Sequence, residues 1–398
     1  MAFGFGDRRS IQLSYGRVYA NSQCNRSPPK TRTRTSGLAY DSPPSSDSHM
    51  PRILSLATAI PPHRLEQSVA REGMAYLCRD HPHLMRLVPV FDRSGVETRH
   101  LIHPSEWYVE ERTFEERNRE YATRGLELIE QAVRSCLAKS STAPDEIDHI
   151  FFVTTTGLAT PSLDARLAAR LGMRPNVRRS PLFGLGCAGG AGALVRACDV
   201  LRRSPDERAL VVSLEICSLV FSLRARTATD VVGVALFGDG AAAALLGGDD
   251  CGTDGITVAR TATHLFPEAQ HLMGWDFTSD GMRLVLSRDI PQFVSERLAP
   301  VVREFVATSG RSVNEIDHYV LHPGGPKVME TYCSTFGLPD EAVSIARESM
   351  REYGNLSSAA VLFMLNDLVA SGKPTAGDTG LMVALGPGFA CEMLVLEW

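Results

Sequence analysis

The sequence of 398 residues lacks the features that two broad classes of protein require. No apolar run reaches the ~18 residues that a membrane-spanning helix needs without a polar interruption. The net charge of -5 comes without a clustered basic surface that could neutralise nucleic-acid phosphates. We therefore expect neither stable membrane insertion nor a nucleic-acid partner.

The nine cysteines lack the spacing of metal sites and of disulfide frameworks. No CxxC pair and no Cys/His zinc pattern occurs among them. An odd number of cysteines with mostly apolar neighbours fits a reducing compartment, where most are small buried residues and one can be a nucleophile. We therefore predict a cytoplasmic protein without a bound metal.

Composition separates a polar extension from a long globular part. Residues 1–49 are dominated by Ser, Pro and Arg without apolar periodicity, which predicts a disordered extension. Its basic character would also suit a transit peptide, and Met50 could equally be where the folded protein begins. From Met50 onward, β-rich runs alternate with amphipathic helical stretches, which is typical of an α/β protein.

An internal repeat divides the globular part into two related halves. The segment DEIDHIFFV and the segment NEIDHYVLH are near copies in which Ile147 corresponds to Ile316, an offset of 169 residues (316 minus 147). Each copy follows an amphipathic helix and precedes a turn of small residues, a helix and a further strand. We therefore predict two duplicated α/β halves, residues 50–255 and residues 256–398.

Cys187 is the first candidate for chemistry. It lies in the stretch LGCAGGAGA, between a strand and a helix. A helix N-terminus favours a thiolate over a thiol, and the flanking glycines let a substrate approach the sulfur. The alternative is a small buried cysteine in a tight turn.

His322 and Asn355 are the second and third candidates. His322 ends an apolar strand before a Gly/Pro turn, where its ring could polarise a thiol or serve an oxyanion, or could be an ordinary surface or core residue. Asn355 precedes a helix, so it could be an N-cap or an uncharged donor in a site. The offset maps Cys187 onto Leu356, beside Asn355, which predicts that the two turns meet near a pseudo-twofold axis.

Five motifs occur in one order along the chain. They are GCAGG around Cys187, ALFGDGAAA from Ala235, HPGGP from His322, YGNLSSA from Tyr353 and GPGF from Gly386. In this order they resemble the chalcone and stilbene synthase family, the type III polyketide synthases, over about residues 50–398. The resemblance implies a thiolase-like αβαβα sandwich of two duplicated halves and a homodimer.

The resemblance also implies a mechanism. Cys187 would take the acyl group of a starter acyl-CoA, and His322 would stabilise the thiolate as an ion pair. With Asn355, His322 would hydrogen-bond the carbonyl of malonyl-CoA during decarboxylation, where each good donor lowers the barrier by roughly 3 to 4 kcal/mol. Coenzyme A thioesters are then substrates and no cofactor is required, in keeping with a sequence that has no GxGxxG or P-loop motif.

The resemblance further places residues around a substrate cavity. Phe237 matches a gatekeeper phenylalanine, although it could be a core aromatic. Leu284 stands where plant enzymes have a second gatekeeper aromatic, and Thr160 replaces a methionine that reaches the partner's cavity. The remaining positions expected at the cavity are Thr155, Thr156, Cys217, Leu219 and Val220, with cysteine and valine where plant enzymes usually have threonines. Arg93 and Gly324 are expected at coenzyme A, although Arg93 could be a solvated surface charge.

An aliphatic cavity lining favours a fatty or other aliphatic starter over a coumaroyl starter. The product would be a pyrone or a resorcinol, according to whether the chain closes by lactonisation or by aldol condensation. One alternative is a 3-ketoacyl-carrier-protein synthase III, which performs a single condensation; another is a non-catalytic acyl-CoA binding relative. A 3-hydroxy-3-methylglutaryl-CoA synthase would need a catalytic glutamate that the sequence does not place.

Overall fold

The computed structural model describes residues 49–220, 227–252, 254–279 and 281–398. The extension predicted for residues 1–49 lies, except for residue 49, outside the described residues. The remaining predictions fall on residues that the structure describes.

Thirteen strands form in the described ranges. They are β1 (Arg52–Ala59), β2 (His63–Glu66), β3 (Thr98–Leu101), β4 (His149–Thr154), β5 (Arg178–Phe183), β6 (Arg208–Ile216), β7 (Asp239–Gly247), β8 (Ile256–Leu265), β9 (Met273–Thr278), β10 (Gly281–Leu286), β11 (His318–Leu321), β12 (Thr379–Gly386) and β13 (Ala390–Glu397). Nine of them make one sheet in the order β11-β12-β13-β8-β1-β7-β6-β4-β5.

Eleven α-helices accompany the strands over the same ranges. They are α1 (Gln67–Cys78), α2 (Pro82–Met85), α3 (Phe114–Lys139), α4 (Leu163–Leu171), α5 (Gly189–Leu201), α6 (Ala228–Leu236), α7 (Ile290–Phe293), α8 (Ala299–Ala307), α9 (Pro326–Phe336), α10 (Ser344–Tyr353) and α11 (Ala360–Ala370). A π-helical segment, Val294–Leu298, joins α7 to α8.

The sheet repeats one pattern of pairing. In the order β4-β6-β7-β1 the first pair is parallel and the next two are antiparallel, and β11-β12-β13-β8 repeats that pattern. The two halves of the sheet meet through a short antiparallel contact between β1 and β8. The structure therefore confirms two duplicated α/β halves, while the boundary at residues 255 and 256 stays a prediction.

The helices complete a five-layer sandwich. Helices α5 and α11 contact each other and strands of both halves of the sheet, so they form the middle layer. Helix α3 covers β1, β6 and β7 on the outside, and α8 packs on β13 in the second half. The predicted thiolase-like αβαβα architecture is therefore confirmed.

Small residues allow the middle layer to pack closely. A Cβ atom added to Gly190, in the first turn of α5, would overlap the carbonyl of Ser358 just before α11. Strand β7, with the sequence DGAAAALLG, is buried along its whole length because helices cover both of its faces. No helix of the described ranges is long and apolar enough to cross a membrane.

Candidate active site

Cys187 lies in a sharp turn at the start of the middle layer. The turn is a short 3-10 segment, Gly186–Ala188, and α5 begins at the next residue, as the sequence predicts. Gly186 has a φ of 47° and lies against the Pro387 ring, so its position suits only a residue without a side chain. The sequence of small residues therefore sets the backbone so that the Cys187 side chain is held beside the second half of the molecule.

The corresponding turn of the second half meets Cys187. Ser357, which opens the 3-10 segment Ser357–Ala359 before α11, accepts a hydrogen bond from the Cys187 Sγ at 3.6 Å. The structure thus brings together the two turns that the 169-residue offset relates. The Cys187 thiol and the Ser357 hydroxyl therefore meet where the first half of the molecule contacts the second.

Asn355 is fixed by the same turn. Its Oδ1 accepts a hydrogen bond from the Ser357 N–H, two residues on, at 2.8 Å. Asn355 is not the N-cap that its position before a helix suggested, because Leu356 is the N-cap of the 3-10 segment and Ala359 is the N-cap of α11. Because the Oδ1 is engaged in this turn, the amide Nδ2 is the part that can donate to a substrate.

His322 follows β11 at the same end of the sheet. Its N–H donates to the Val383 carbonyl on β12 at 2.9 Å, and Pro387, against which the cysteine turn packs, follows the end of that strand. The ring is buried, and its Nδ1 has no hydrogen-bond partner in the described part of the chain. No hydrogen bond joins His322 to Cys187 in that part of the structure.

Burial acts against charge on both side chains. It raises the pKa of Cys187 to about 12, and it lowers the pKa of His322 to about 4. Burial thus opposes the Cys187 thiolate that the position before a helix was expected to favour. A thiolate here needs a positive partner, and His322 is the residue of this group that can supply one.

Three predicted cavity residues pack together beside this turn. Cys217, Phe237 and Leu284 belong to one buried apolar cluster, which Val96, Leu236 and Met350 complete. Phe237 follows α6, Leu284 lies on β10 and Cys217 follows β6, so three distant segments converge. The two gatekeeper positions, Phe237 and Leu284, therefore belong to the same cluster. The second of them, Leu284, is an aliphatic residue.

The other cavity positions divide into two groups. Thr155 and Thr156 are buried at the end of β4, and Leu219 and Val220 are buried in the turn after β6. Thr160 is exposed, at a cis peptide bond before Pro161. Within one chain the structure does not bring Thr160 to the Cys187 turn.

The two residues expected at coenzyme A are separate from the Cys187 turn. Arg93 is exposed at the end of the 3-10 segment Val88–Arg93. Gly324 is half-buried, and its N–H donates to the His322 carbonyl at 3.0 Å. Gly324 therefore shapes the turn that carries His322, whereas Arg93 lies on the surface and forms no ion pair with the described residues.

A cavity of about 560 Å³ adjoins Phe237, the residue that follows α6. Its wall is mostly apolar and is built largely from α1, α6 and the 3-10 segment Ser105–Val109. Apolar members of the wall include Leu65, Val69, Met74, Trp107 and Val231. Cys187, His322 and Asn355 do not line it, so the cavity does not enclose these three candidate residues.

Comparisons with known proteins fit this arrangement. The family profile described as "Chalcone and stilbene synthases, N-terminal domain" matches residues 46–250, and the profile of the C-terminal domain matches residues 257–398. The chain belongs to the chalcone and stilbene synthase family. It is therefore a type III polyketide synthase, an acyltransferase by its chemistry.

This chain is similar to bacterial members of the family along most of their length. A 1,3,6,8-tetrahydroxynaphthalene synthase of Streptomyces peucetius subsp. caesius is 41% identical over 353 residues, which cover 87% of this chain and 93% of the relative. A putative chalcone synthase of Bacillus subtilis (strain 168) is 36% identical over 358 residues, 87% of this chain and 98% of the relative. The crystal structure of the tetrahydroxynaphthalene synthase of Streptomyces coelicolor A3(2) superposes with a TM-score of 0.84 at 30% identity, covering 87% of this chain and 99% of that one.

The sequence analysis of this polyketide synthase missed a buried carboxyl group. Glu215, in the apolar strand β6, accepts hydrogen bonds from the Thr155 N–H at 3.1 Å and hydroxyl at 2.9 Å. It also accepts from the hydroxyls of Ser358 and, at 3.4 Å, Ser357, which is the partner of Cys187. A single acidic residue inside a continuous apolar run is the sequence signal that could have found it.

The surroundings of Glu215 act on its pKa in opposite directions. Burial raises the pKa of Glu215, and the hydrogen bonds from Ser358 and Thr155 oppose that shift. The path Cys187–Ser357–Glu215 links the nucleophile to a group that can hold or release a proton. The site thus combines a thiol, an imidazole, an amide and a carboxyl group around one turn.

Proposed function

We propose that this synthase condenses an acyl-CoA starter, fatty or otherwise aliphatic, with malonyl-CoA by iterative decarboxylative Claisen condensation, and cyclises the product to a pyrone or a resorcinol. The observation that carries the proposal is the meeting of Cys187 with the Asn355–Ser357 turn, at the end of the sheet that also carries His322. A thiol, a neutral donor and a histidine are the groups that acyl transfer to sulfur and enolate stabilisation need.

Each step uses one of these groups. The Cys187 sulfur attacks the starter thioester, loses its proton towards His322 and releases coenzyme A as a thiol. His322 and Asn355 then donate to the thioester carbonyl of malonyl-CoA, and loss of carbon dioxide leaves an enolate at that oxygen. The enolate carbon attacks the acyl carbonyl, the Cys187–acyl bond breaks, and return of the extended chain to Cys187 allows another round. Coenzyme A thioesters are the only small molecules that this scheme requires.

The lining of the site supports an aliphatic starter. Leu284 and Cys217 pack with Phe237 in one apolar cluster, and the adjoining cavity has a mostly apolar wall. Burial of apolar surface favours a ligand by about 25 cal/mol per Å², so a hydrocarbon chain gains most from such a wall.

A homodimer is part of the proposal. Among the described residues strand β5 pairs only with β4, so its outer edge is unpaired there, and Phe183 at its end is 48% exposed. Unpaired edges of this kind are covered in stable proteins, and pairing with the same strand of a second copy would cover this one. The exposed Thr160 would then be free to face the second copy.

We also propose a cytoplasmic location, because the eight cysteines of the described residues are free thiols.

One comparison favours a second candidate function. The relative that is 41% identical is named a 1,3,6,8-tetrahydroxynaphthalene synthase. A naphthalene skeleton can be assembled from two-carbon units alone, so malonyl-CoA could serve as both starter and extender. In this candidate the same Cys187, His322 and Asn355 would act, and only the starter and the cyclisation would differ.

The experiment compares starters with the purified full-length protein. Labelled malonyl-CoA is supplied alone or with acetyl-CoA, medium-chain and long-chain acyl-CoA, or coumaroyl-CoA, and products are identified by mass spectrometry. Pyrones or resorcinols built on an aliphatic starter support the proposal, and a naphthalene product from malonyl-CoA alone supports the second candidate. Products should disappear in Cys187→Ala and persist in Cys251→Ser, a control outside the site. A single condensation that requires a malonyl carrier protein would refute the proposal in favour of a ketoacyl synthase.

A further inference from the structure

The turn after α6, which contains Phe237, is joined to Asn355 by backbone hydrogen bonds. The Leu236 carbonyl accepts a hydrogen bond from the Asn355 N–H at 2.7 Å, and the Asn355 carbonyl accepts from the Gly238 N–H at 3.2 Å. Phe237, between them, forms a parallel bridge with Asn355. A shift of this turn would therefore move the gatekeeper position and the Asn355 amide together.

A buried arginine donates further hydrogen bonds to that turn. The Nη1 of Arg99, on β3, donates to the Phe237 carbonyl at 2.9 Å and to the Val234 carbonyl, and its Nη2 donates to the Ala235 carbonyl at 3.1 Å. Val234 and Ala235 are among the last four residues of α6, whose carbonyls have no partner within the helix. A positive charge at this end of a helix is also favoured by the helix dipole.

A glutamine holds the arginine in place. The Oε1 of Gln67 accepts a hydrogen bond from Arg99, while its Nε2 donates to the Ala235 carbonyl at 3.0 Å and to the Ser94 hydroxyl at 2.8 Å. Gln67 is buried as well, at the start of α1. The hydrogen bonds of Arg99 are thus directed by a second polar side chain rather than by solvent.

Arg99 remains charged in this setting. Burial lowers its pKa to about 10, and the attraction of Asp239 opposes that shift. A lysine could not replace it, because an ammonium group is a single point of charge whereas the guanidinium presents donors in a fixed fork. Arg99 therefore supplies this turn with several hydrogen-bond donors in a fixed arrangement as well as with a positive charge.

We propose that Arg99 is a positioning residue for decarboxylation, because it holds the turn from Leu236 to Gly238 and thereby sets the Asn355 amide and Phe237 against the malonyl thioester. The inference rests on the proposed function for its chemistry. Its structural part, that Arg99 holds this turn, stands on the hydrogen bonds alone.

The kinetic test separates the two half-reactions. Without starter, decarboxylation converts malonyl-CoA and a proton to acetyl-CoA and carbon dioxide, which is measured directly; acylation of Cys187 by a starter is followed by intact mass. In Arg99→Lys we expect kcat for decarboxylation to fall about tenfold or more with KM little changed, and the rate of Cys187 acylation to stay within about twofold. The control is Arg174→Lys, which changes an arginine that donates to the Ile147 carbonyl at the other end of β4 and should alter neither rate.

The structural test does not depend on activity. Hydrogen exchange in Arg99→Lys should become faster in the segments around Gly238 and Asn355 and remain unchanged elsewhere. Gln67→Leu, which removes the partner of Arg99, should give the same pattern with a smaller change and serves if Arg99→Lys does not fold. Unchanged exchange at this turn, or an equal loss of both half-reactions, would overturn the inference. A wild-type protein that does not decarboxylate malonyl-CoA would refute the proposed function, and the exchange pattern would still decide whether Arg99 holds the turn.

Discussion

Single residues of this synthase combine a structural and a chemical task. Asn355 accepts a hydrogen bond within its own turn through Oδ1, and we propose its amide group as the donor to substrate, while Ser357 links the Cys187 thiol to the Glu215 carboxyl group. His322 is buried with an unpartnered Nδ1 in the described residues, and we propose that its imidazole gains a proton when Cys187 loses one. The proposed thiolate and imidazolium would form as a pair, because burial penalises each charge alone.

The first prediction concerns the ionisation of Cys187. Replacing His322 by Gln removes the cation that can accompany the thiolate, so the thiol pKa should rise further and the thiolate fraction at pH 7 should fall. We expect the pH profile of Cys187 alkylation by iodoacetamide to move to higher pH by about one unit or more, with a tenfold slower reaction at pH 7. His318→Gln, on the same strand, is the control. An unchanged profile in His322→Gln would show that the two residues do not share a proton.

The second prediction concerns the space around the starter. Leu284 is buried against the cluster that contains Cys217 and Phe237, and overpacking such a position forces neighbours to move. We expect Leu284→Phe to shift the ratio of kcat/KM values about tenfold in favour of shorter acyl-CoA starters. Val285→Phe, on the opposite face of β10, should leave the ratio unchanged. Equal effects of the two substitutions, or no effect of Leu284→Phe, would contradict an aliphatic starter passing this cluster.

At the scale of elements, the site is made where strand ends and helix starts of the two halves meet. Asp239, the first residue of β7, accepts hydrogen bonds from the Ser218 N–H at 2.8 Å and hydroxyl at 2.6 Å and from the Ile102 N–H at 2.9 Å. These contacts join the turn after β6 and the segment after β3 to the start of β7. One buried carboxyl group thus holds three elements around the gatekeeper turn.

The third prediction follows from that burial. Burial raises the pKa of Asp239 to about 6, above its value in an unfolded chain, so the folded protein binds the proton more tightly. The contribution of Asp239 to stability is fully present below about pH 4 and is lost as the pH rises through about 6. Relative to Asp239→Asn, the wild-type free energy of unfolding should therefore gain up to about 3 kcal/mol between pH 7 and pH 4 in urea titrations. Asp276→Asn, at an exposed site, is the control; a gain towards higher pH would contradict the account.

The sequence predicts the elements better than their polar contacts. The copied segments correctly place β4 and β11 and the helices that follow Cys187 and Asn355, because apolar periodicity and small-residue turns are local patterns. Arg99 and Glu215 could not be assigned in this way. Thr155, a partner of Glu215, lies 60 residues away in the chain. Phe237 and Gln67, two partners of Arg99, lie 138 and 32 residues away, so no local pattern encodes those contacts.

At the scale of the whole molecule, the two ends of the nine-stranded sheet differ in exposure over the described residues. Strand β5 ends the sheet on the side of the first half, and each of its residues is exposed or half-buried. The other terminal strand, β11, is mostly buried. Strand β5 therefore offers an accessible edge that could pair with β5 of a second copy, whereas β11 is mostly covered.

The fourth prediction concerns the oligomeric state. Light scattering should give twice the chain mass of 43.3 kDa. Phe183→Glu, which places a charge at the end of β5, should shift the protein towards the monomer, because a buried unpaired charge disfavours association. Val369→Glu, an exposed apolar position on α11, should leave the dimer intact. A monomeric wild-type protein, or a dimer that is indifferent to Phe183→Glu, would contradict the assignment of this edge.

We propose that Cys187 carries a chain that grows by repeated condensation. The most direct measurement is mass spectrometry of the Cys187 peptide from the full-length protein quenched during turnover with an aliphatic acyl-CoA and malonyl-CoA. The account predicts a series of Cys187 thioesters, with the starter acyl group first and then the same group extended by successive two-carbon ketide units. A Cys187 peptide that stays unmodified, or one that never carries more than the starter while a single condensation product is released, would contradict the account.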